Sequence, residues 1–148
     1  MKSVKEKAHL IFWILGILLI ALQVLFTMVY PEAILDINIH DTYIIIAYAH
    51  LFNVLGTWFI LCGVGYWILK LRRIGIFGWM FWLHLIFTVL FPLSFATTNM
   101  DIKPTMENFR MIQYIESLWF FGLILFVVGQ GLYFLNIFIS TLKRVKSR

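Results

Sequence analysis

Gln23, His50, Asn53, His84 and Glu116 stand inside stretches otherwise built of hydrocarbon side chains. An imidazole can ligate a metal and can gain or lose a proton near neutral pH. A carboxyl group can carry charge or a proton, and an amide can both give and accept hydrogen bonds. In an apolar surrounding each of these groups is costly unless it finds a partner. Their depths are counted at about 1.5 Å per residue from the ends of the apolar runs. On that count His50 lies about 12 Å below one end of its run, with Asn53 and Thr57 on the same helical face. Gln23 falls at a similar depth, and Glu116 about 9 Å down the last run, below Gln113 and Tyr114. Gln23, His50, Asn53 and Glu116 are therefore candidates for one polar layer. His84 enters from the opposite side, about 12 Å in. Each has a plainer reading. A membrane histidine can simply bond a neighbouring helix, Glu116 can reach interfacial water, and Gln23 and Asn53 can hold helices together.

The elements that must position these residues follow from composition. The chain has 148 residues, 62% hydrophobic and 13% charged, with a mean hydropathy of +0.92. A soluble domain carries roughly twice that charge. The apolar residues fall into four runs, about 10–30, 43–69, 76–96 and 111–140. Each is long enough for the ~20 residues that cross a bilayer as a helix. Beta-barrel strands would be shorter and would alternate. The fold expected is all-α, one integral membrane unit of four helices. The basic start (Lys2, Lys5, Lys7) ahead of an apolar stretch resembles a signal peptide, but the stretch is too long and lacks a small-residue cleavage site. It reads as an uncleaved first span.

Basic residues give the direction. Lys2, Lys5 and Lys7, then Lys70, Arg72 and Arg73, then Lys143, Arg144, Lys146 and Arg148 fall on one side of a four-span chain. Lys103 and Arg110 fall on the other, among Glu32, Asp36, Asp41, Asp101 and Glu107. The positive-inside rule then places both termini in the cytoplasm and the chain in the cytoplasmic membrane. The net charge of +5 suits anionic lipid headgroups. Because the basic residues merely flank the spans, nucleic acid is not an expected partner. The single cysteine, Cys62, can form no internal disulfide and reads as a packing residue. Gly56 with Gly63, and Gly122 with Gly129, recur at heptad spacing and would let helices approach closely. The short segment from Lys70 to Gly75 makes spans two and three a hairpin.

One motif adds to this. Residues 40 to 56 run His40-Asp41-Thr42-Tyr43, three isoleucines, Ala47, Tyr48, Ala49 and His50, and reach Gly56 six residues later. The stretch resembles helix ten of the catalytic subunit I of heme-copper oxidases. Thr88 to Phe95 is similar to the phenylalanine-proline stretch of that subunit's helix eleven. The positive-inside count, which uses no motif, puts His40 and Asp41 at the outer mouth of span two, the side on which the family's matching residues lie.

The resemblance implies roles. The histidine matching His50 is an axial ligand of the low-spin heme, so a heme of b or a type is implied, with His50 on its iron. His40 and Asp41 match groups near the heme propionates. The family's paired arginines are not matched, and Lys103 and Arg110 are the basic residues on that side that could replace them. The family's other helix-ten histidine is Tyr48 here, which reads as an aromatic packing residue. The copper site needs histidines on helices this chain lacks, so no copper is expected and the chain is not an oxygen reductase by itself. Subunit I is built from three related four-helix arcs, and this chain looks like one of them. A homo-oligomer is expected, with a trimer favoured, or else a place in a larger membrane complex. The function implied is electron transfer, or sensing or carriage of heme. A cofactor-free accessory subunit is the alternative. A small ion transporter using Glu116, His50 and Gln23 is a third, and no broken helix or paired repeat supports it.

Overall fold

The computed structural model describes residues 7–32, 34–39, 42–94 and 109–146, with side chains at all of these except 35–39, 42–44, 109, 116 and 144–146. The described residues form four helices and one two-stranded hairpin: α1 (Ala8–Val29), β1 (Ile34–Ile39), β2 (Thr42–Ala47), α2 (Tyr48–Leu71), α3 (Gly78–Ser94) and α4 (Phe109–Lys146). Among the described residues, α1, α2 and a stretch of α4 are long and apolar enough to cross a membrane. α3 is apolar but shorter, at 17 residues or about 26 Å. These helices make the chain a membrane protein.

The departure from the expected four runs lies between Ile34 and Ala47. β1 and β2 pair antiparallel, with Ile34 opposite Ala47 and Ile39 opposite Thr42. Helix α2 therefore begins at Tyr48, five residues after the expected start of span two at Tyr43. The physical reason is the isoleucine run. Three consecutive β-branched side chains lose rotamer freedom in a helix and fit a pleated strand. The partner segment, Leu35-Asp36-Ile37-Asn38-Ile39, alternates apolar and polar as a strand does. His40 and Asp41 lie outside the described residues.

The chain divides into two compact units, Met1–Lys70 and Leu71–Arg148. In the first, α1 and α2 lie antiparallel. Phe26 meets Phe52 at one end, with ring centroids 5.1 Å apart, and Phe12 meets Tyr66 toward the other at 5.5 Å. Between these contacts the two backbones touch. A Cβ on Gly16 would stand 2.7 Å from the Gly56 carbonyl oxygen, and one on Gly56 2.9 Å from that of Gly16. Gly63 faces the Trp13 indole, where a Cβ would overlap it. The buried residues of α2 recur every three or four positions along the face turned to α1.

In the second unit α3 runs antiparallel to α4. Phe77 meets Asn136, His84 meets Tyr133, Phe91 meets Phe126 and Ser94 meets Trp119. Pro92 lies inside α3, where it has no N–H to donate. Gly122 and Gly129, the second small-residue pair, face Phe91 and Phe87 of α3. α4 has 38 residues, about 57 Å, and continues at its N-terminal end past the residues paired with Ser94.

Candidate functional site

His50 sits in the first turn of α2, not two turns down, because the preceding residues are strand. Its side chain is exposed, as are those of Asn53 and Thr57. The three share one face by helical spacing. Tyr48 points the other way. It is 3% exposed, with its ring 6.2 Å from that of Phe26 and 6.4 Å from that of Phe52. Tyr48 is thus a packing residue against α1, as expected.

Gln23 makes its hydrogen bonds within α1. Its amide donates to the Thr27 hydroxyl at 3.2 Å, and that hydroxyl donates to the Gln23 carbonyl at 2.9 Å. Both partners lie on α1, so the amide is held along its own helix. Glu116 is on α4, in the other unit, and its side chain lies outside the described residues. His40, Asp41 and Lys103 also lie outside them. Arg110 is exposed at the start of α4. With Gln113, Tyr114 and Ser117 it lines an open groove of about 580 Å³. The four fall at i, i+3, i+4 and i+7, one face of the first two turns. Ser117 donates to the Gln113 carbonyl at 2.7 Å.

The best-formed polar cluster lies elsewhere. His84, Thr88 and Asn136 are each 0% exposed and sit between α3 and α4. Gln130 reaches across to Thr88, its amide donating to the hydroxyl at 3.1 Å and to the Phe126 carbonyl at 3.3 Å. The His84 ring lies against Tyr133 at 4.9 Å. Asn136 imitates a backbone. Its Oδ1 accepts from the Phe77 N–H at 3.0 Å, its Nδ2 donates to the Phe77 carbonyl at 3.2 Å, and Ser140 donates to its Oδ1 at 3.3 Å. Phe77 immediately precedes α3, so Asn136 supplies an acceptor to an N–H at the helix start that has no intrahelical partner. The sequence reading weighed His84 but passed over Thr88, Gln130, Asn136 and Ser140. The signal available was their spacing: Gln130, Tyr133, Asn136 and Ser140 follow one another at three or four residues on a single face.

Among the described residues no group of three or more His, Cys, Asp or Glu side chains is placed to hold a metal ion. His50 is a single exposed imidazole on its face of α2. Such a site can supply one axial bond to a heme iron, beside the apolar side chains of Val54 and Leu61, which are exposed near that face. A second wall must come from outside α2. No family model matches the chain, and no curated protein or solved structure matches it either.

Proposed function

We propose that this chain is a heme-binding protein of the cytoplasmic membrane, related to one four-helix arc of heme-copper oxidase subunit I, and that it moves electrons or senses or carries heme without reducing oxygen. The observation that carries the reading is His50. It follows His40-Asp41-Thr42-Tyr43 in the register of the oxidase helix, and it stands exposed on a membrane-length helix where burial against α1 does not occupy it. A neutral imidazole is a good axial ligand for heme iron. A bound heme of b or a type would supply one-electron redox chemistry. The residues of this chain would hold it: His50 at the iron, with His40, Asp41, Lys103 and Arg110 as the candidates near the propionates. A homo-oligomer, with a trimer favoured, provides the remaining walls.

The direction of insertion belongs to the same proposal. α3 runs beside α4 over its whole length, so a membrane crossed by α4 is crossed by α3 as well. Its shortfall against a bilayer core of about 30 Å is small enough for local thinning to absorb. Four crossings put both termini on the basic, cytoplasmic side.

The test is an absorption spectrum of detergent-purified protein. A Soret band in the wild type that is lost in His50→Ala supports the reading. A colourless protein that is monodisperse and helical overturns it. One observation favours a second reading, a cofactor-free accessory subunit. The buried polar side chains between α3 and α4 hydrogen-bond one another and the backbone, as in a purely structural helix pair. Co-purification with a stable larger assembly, and a negative pyridine hemochrome assay, would select it.

A further inference from the structure

Just past the end of α2 the chain turns through Arg73, whose φ is 55°. Among the described residues it is the one non-glycine residue with a positive φ. This is the position after a helix that glycine most often fills, because a side chain there crowds its own backbone. The sequence does hold a glycine, but further on, at Gly75, where a Cβ would have nothing within 4 Å. The left-handed turn therefore carries an arginine at a cost that glycine would not have. Backbone strain of this kind gathers where the side chain has a use.

The frame around Arg73 is fixed. Ile74, the next residue, is buried, and Phe77 is clamped through its N–H and carbonyl by Asn136 of α4. The Phe77 ring in turn lies under the Lys143 ammonium, with Nζ 5.5 Å from the centroid. The turn and the far end of α4 thus bring Arg72, Arg73 and Lys143, all exposed, to one end of the α3–α4 pair. The acidic residues of this unit, Asp101, Glu107 and Glu116, all precede Trp119, which meets Ser94 at the opposite end. From Ser117 to Arg148, and from Thr42 to Met100, the sequence has no Asp or Glu. The cationic end is thus built without a carboxylate from its own helices. Its depth follows from Trp79 and Trp82, both exposed near the start of α3, since amphipathic rings of this kind settle at the membrane–water interface. The turn ahead of them lies at the level of the lipid phosphates.

We propose that Arg72, Arg73 and Lys143 bind the phosphate of an anionic phospholipid in the leaflet on this side, the cytoplasmic one in the orientation proposed above. A guanidinium fork matches phosphate oxygens, and the ammonium adds a point charge. The depth selects a lipid over a soluble anion, and inward from Lys143 the exposed Leu142 and Phe138 give acyl chains an apolar path. The inference needs α3 and α4 to lie in a membrane and does not need heme.

The test is native mass spectrometry of the detergent-purified full chain, titrated with phosphatidylglycerol and with phosphatidylcholine. The wild type should prefer phosphatidylglycerol. Arg73→Gly and Lys143→Gln should each weaken that binding about fivefold, the effect of one basic residue at a lipid surface. Lys7→Gln removes the same charge elsewhere and should leave it unchanged. Arg73→Gly has a second readout. The strain leaves with the side chain, so the thermal midpoint of helicity in lipid-free detergent should not fall. A lower midpoint overturns the proposal, because Arg73 then only caps α2. Equal binding of the two lipids, or a loss in Lys7→Gln as large as in the site variants, overturns it as general surface charge. Displacement by millimolar inorganic phosphate overturns the lipid as the source. Binding that appears only in Glu6→Gln overturns it too, because the chain's own carboxylate then holds the site. A colourless protein that binds phosphatidylglycerol through these residues sinks the heme reading alone. A heme band lost in His50→Ala, with no lipid preference, sinks this one alone.

Discussion

Tyr48 and His50 are two residues apart on α2 and face opposite ways, and that local fact separates packing from chemistry. The tyrosine is consumed by contacts with Phe26 and Phe52, whereas the His50 side chain is exposed. The same contrast appears on α4. Asn136 is fully buried and is spent on the backbone of Phe77, on an N–H that would otherwise lack a partner there and a carbonyl that also accepts from the Phe81 N–H. Asn136→Ala should therefore lower stability by about 1–3 kcal/mol, the usual cost of leaving buried polar groups unsatisfied. The measurement is a reversible SDS titration of helicity in mixed micelles, and an unchanged midpoint would remove the clamp from the account. Gln130→Leu is the milder companion. It removes both the donor and its burden, and should cost less than Asn136→Ala in the same titration.

At the scale of elements, the close contact of α1 with α2 depends on two glycines. With a Cβ at position 16 or 56 the facing carbonyl would have to move, so Gly16→Val should cost about 1–3 kcal/mol as an overpacked interface does. Thermal loss of helicity in detergent reads this, and Gly131→Ala, where the surrounding space is open, is the control expected to be near neutral. Gly56 and Gly63 were legible as close-approach residues from their spacing alone, and so were Gly122 and Gly129. Neither their partner helices nor the hairpin could be read so directly. Thr42 to Ala47 continues without a polar break into the apolar run of α2, and a short run of that kind suits a strand or a helix equally well. Pairing with Ile34–Ile39 decides it, and the two residues between the strands, His40 and Asp41, are not the glycine-containing pair that announces a hairpin. The consequence for the candidate site was direct. Moving the helix start to Tyr48 moved His50 from two turns deep to the first turn. On α4, long apolar stretches around Gln130, Asn136 and Ser140 hid their common face, because a hydropathy reading averages over the polar positions it should count.

At the scale of the molecule, the membrane character was plain in the composition, and the number of crossings turns on α3. Reporter fusions at the two termini should both read cytoplasmic, and a reporter placed in the segment between Ser94 and Phe109 should read external. Opposite readings at the two ends would leave three crossings, and an external N-terminus would reverse the placement of His50. The length of α4 has a mechanical side. It is one uninterrupted rod of about 57 Å, nearly twice the hydrocarbon thickness, with Arg110 near one end and Lys143 near the other. A rod held at its middle moves at both ends when it tilts. A tilt of about 5° displaces each end by about 2.5 Å, roughly half a helical turn. An event at the groove beside Arg110 that tilted α4 would thus be felt as lateral displacement at its far end, without any change in secondary structure.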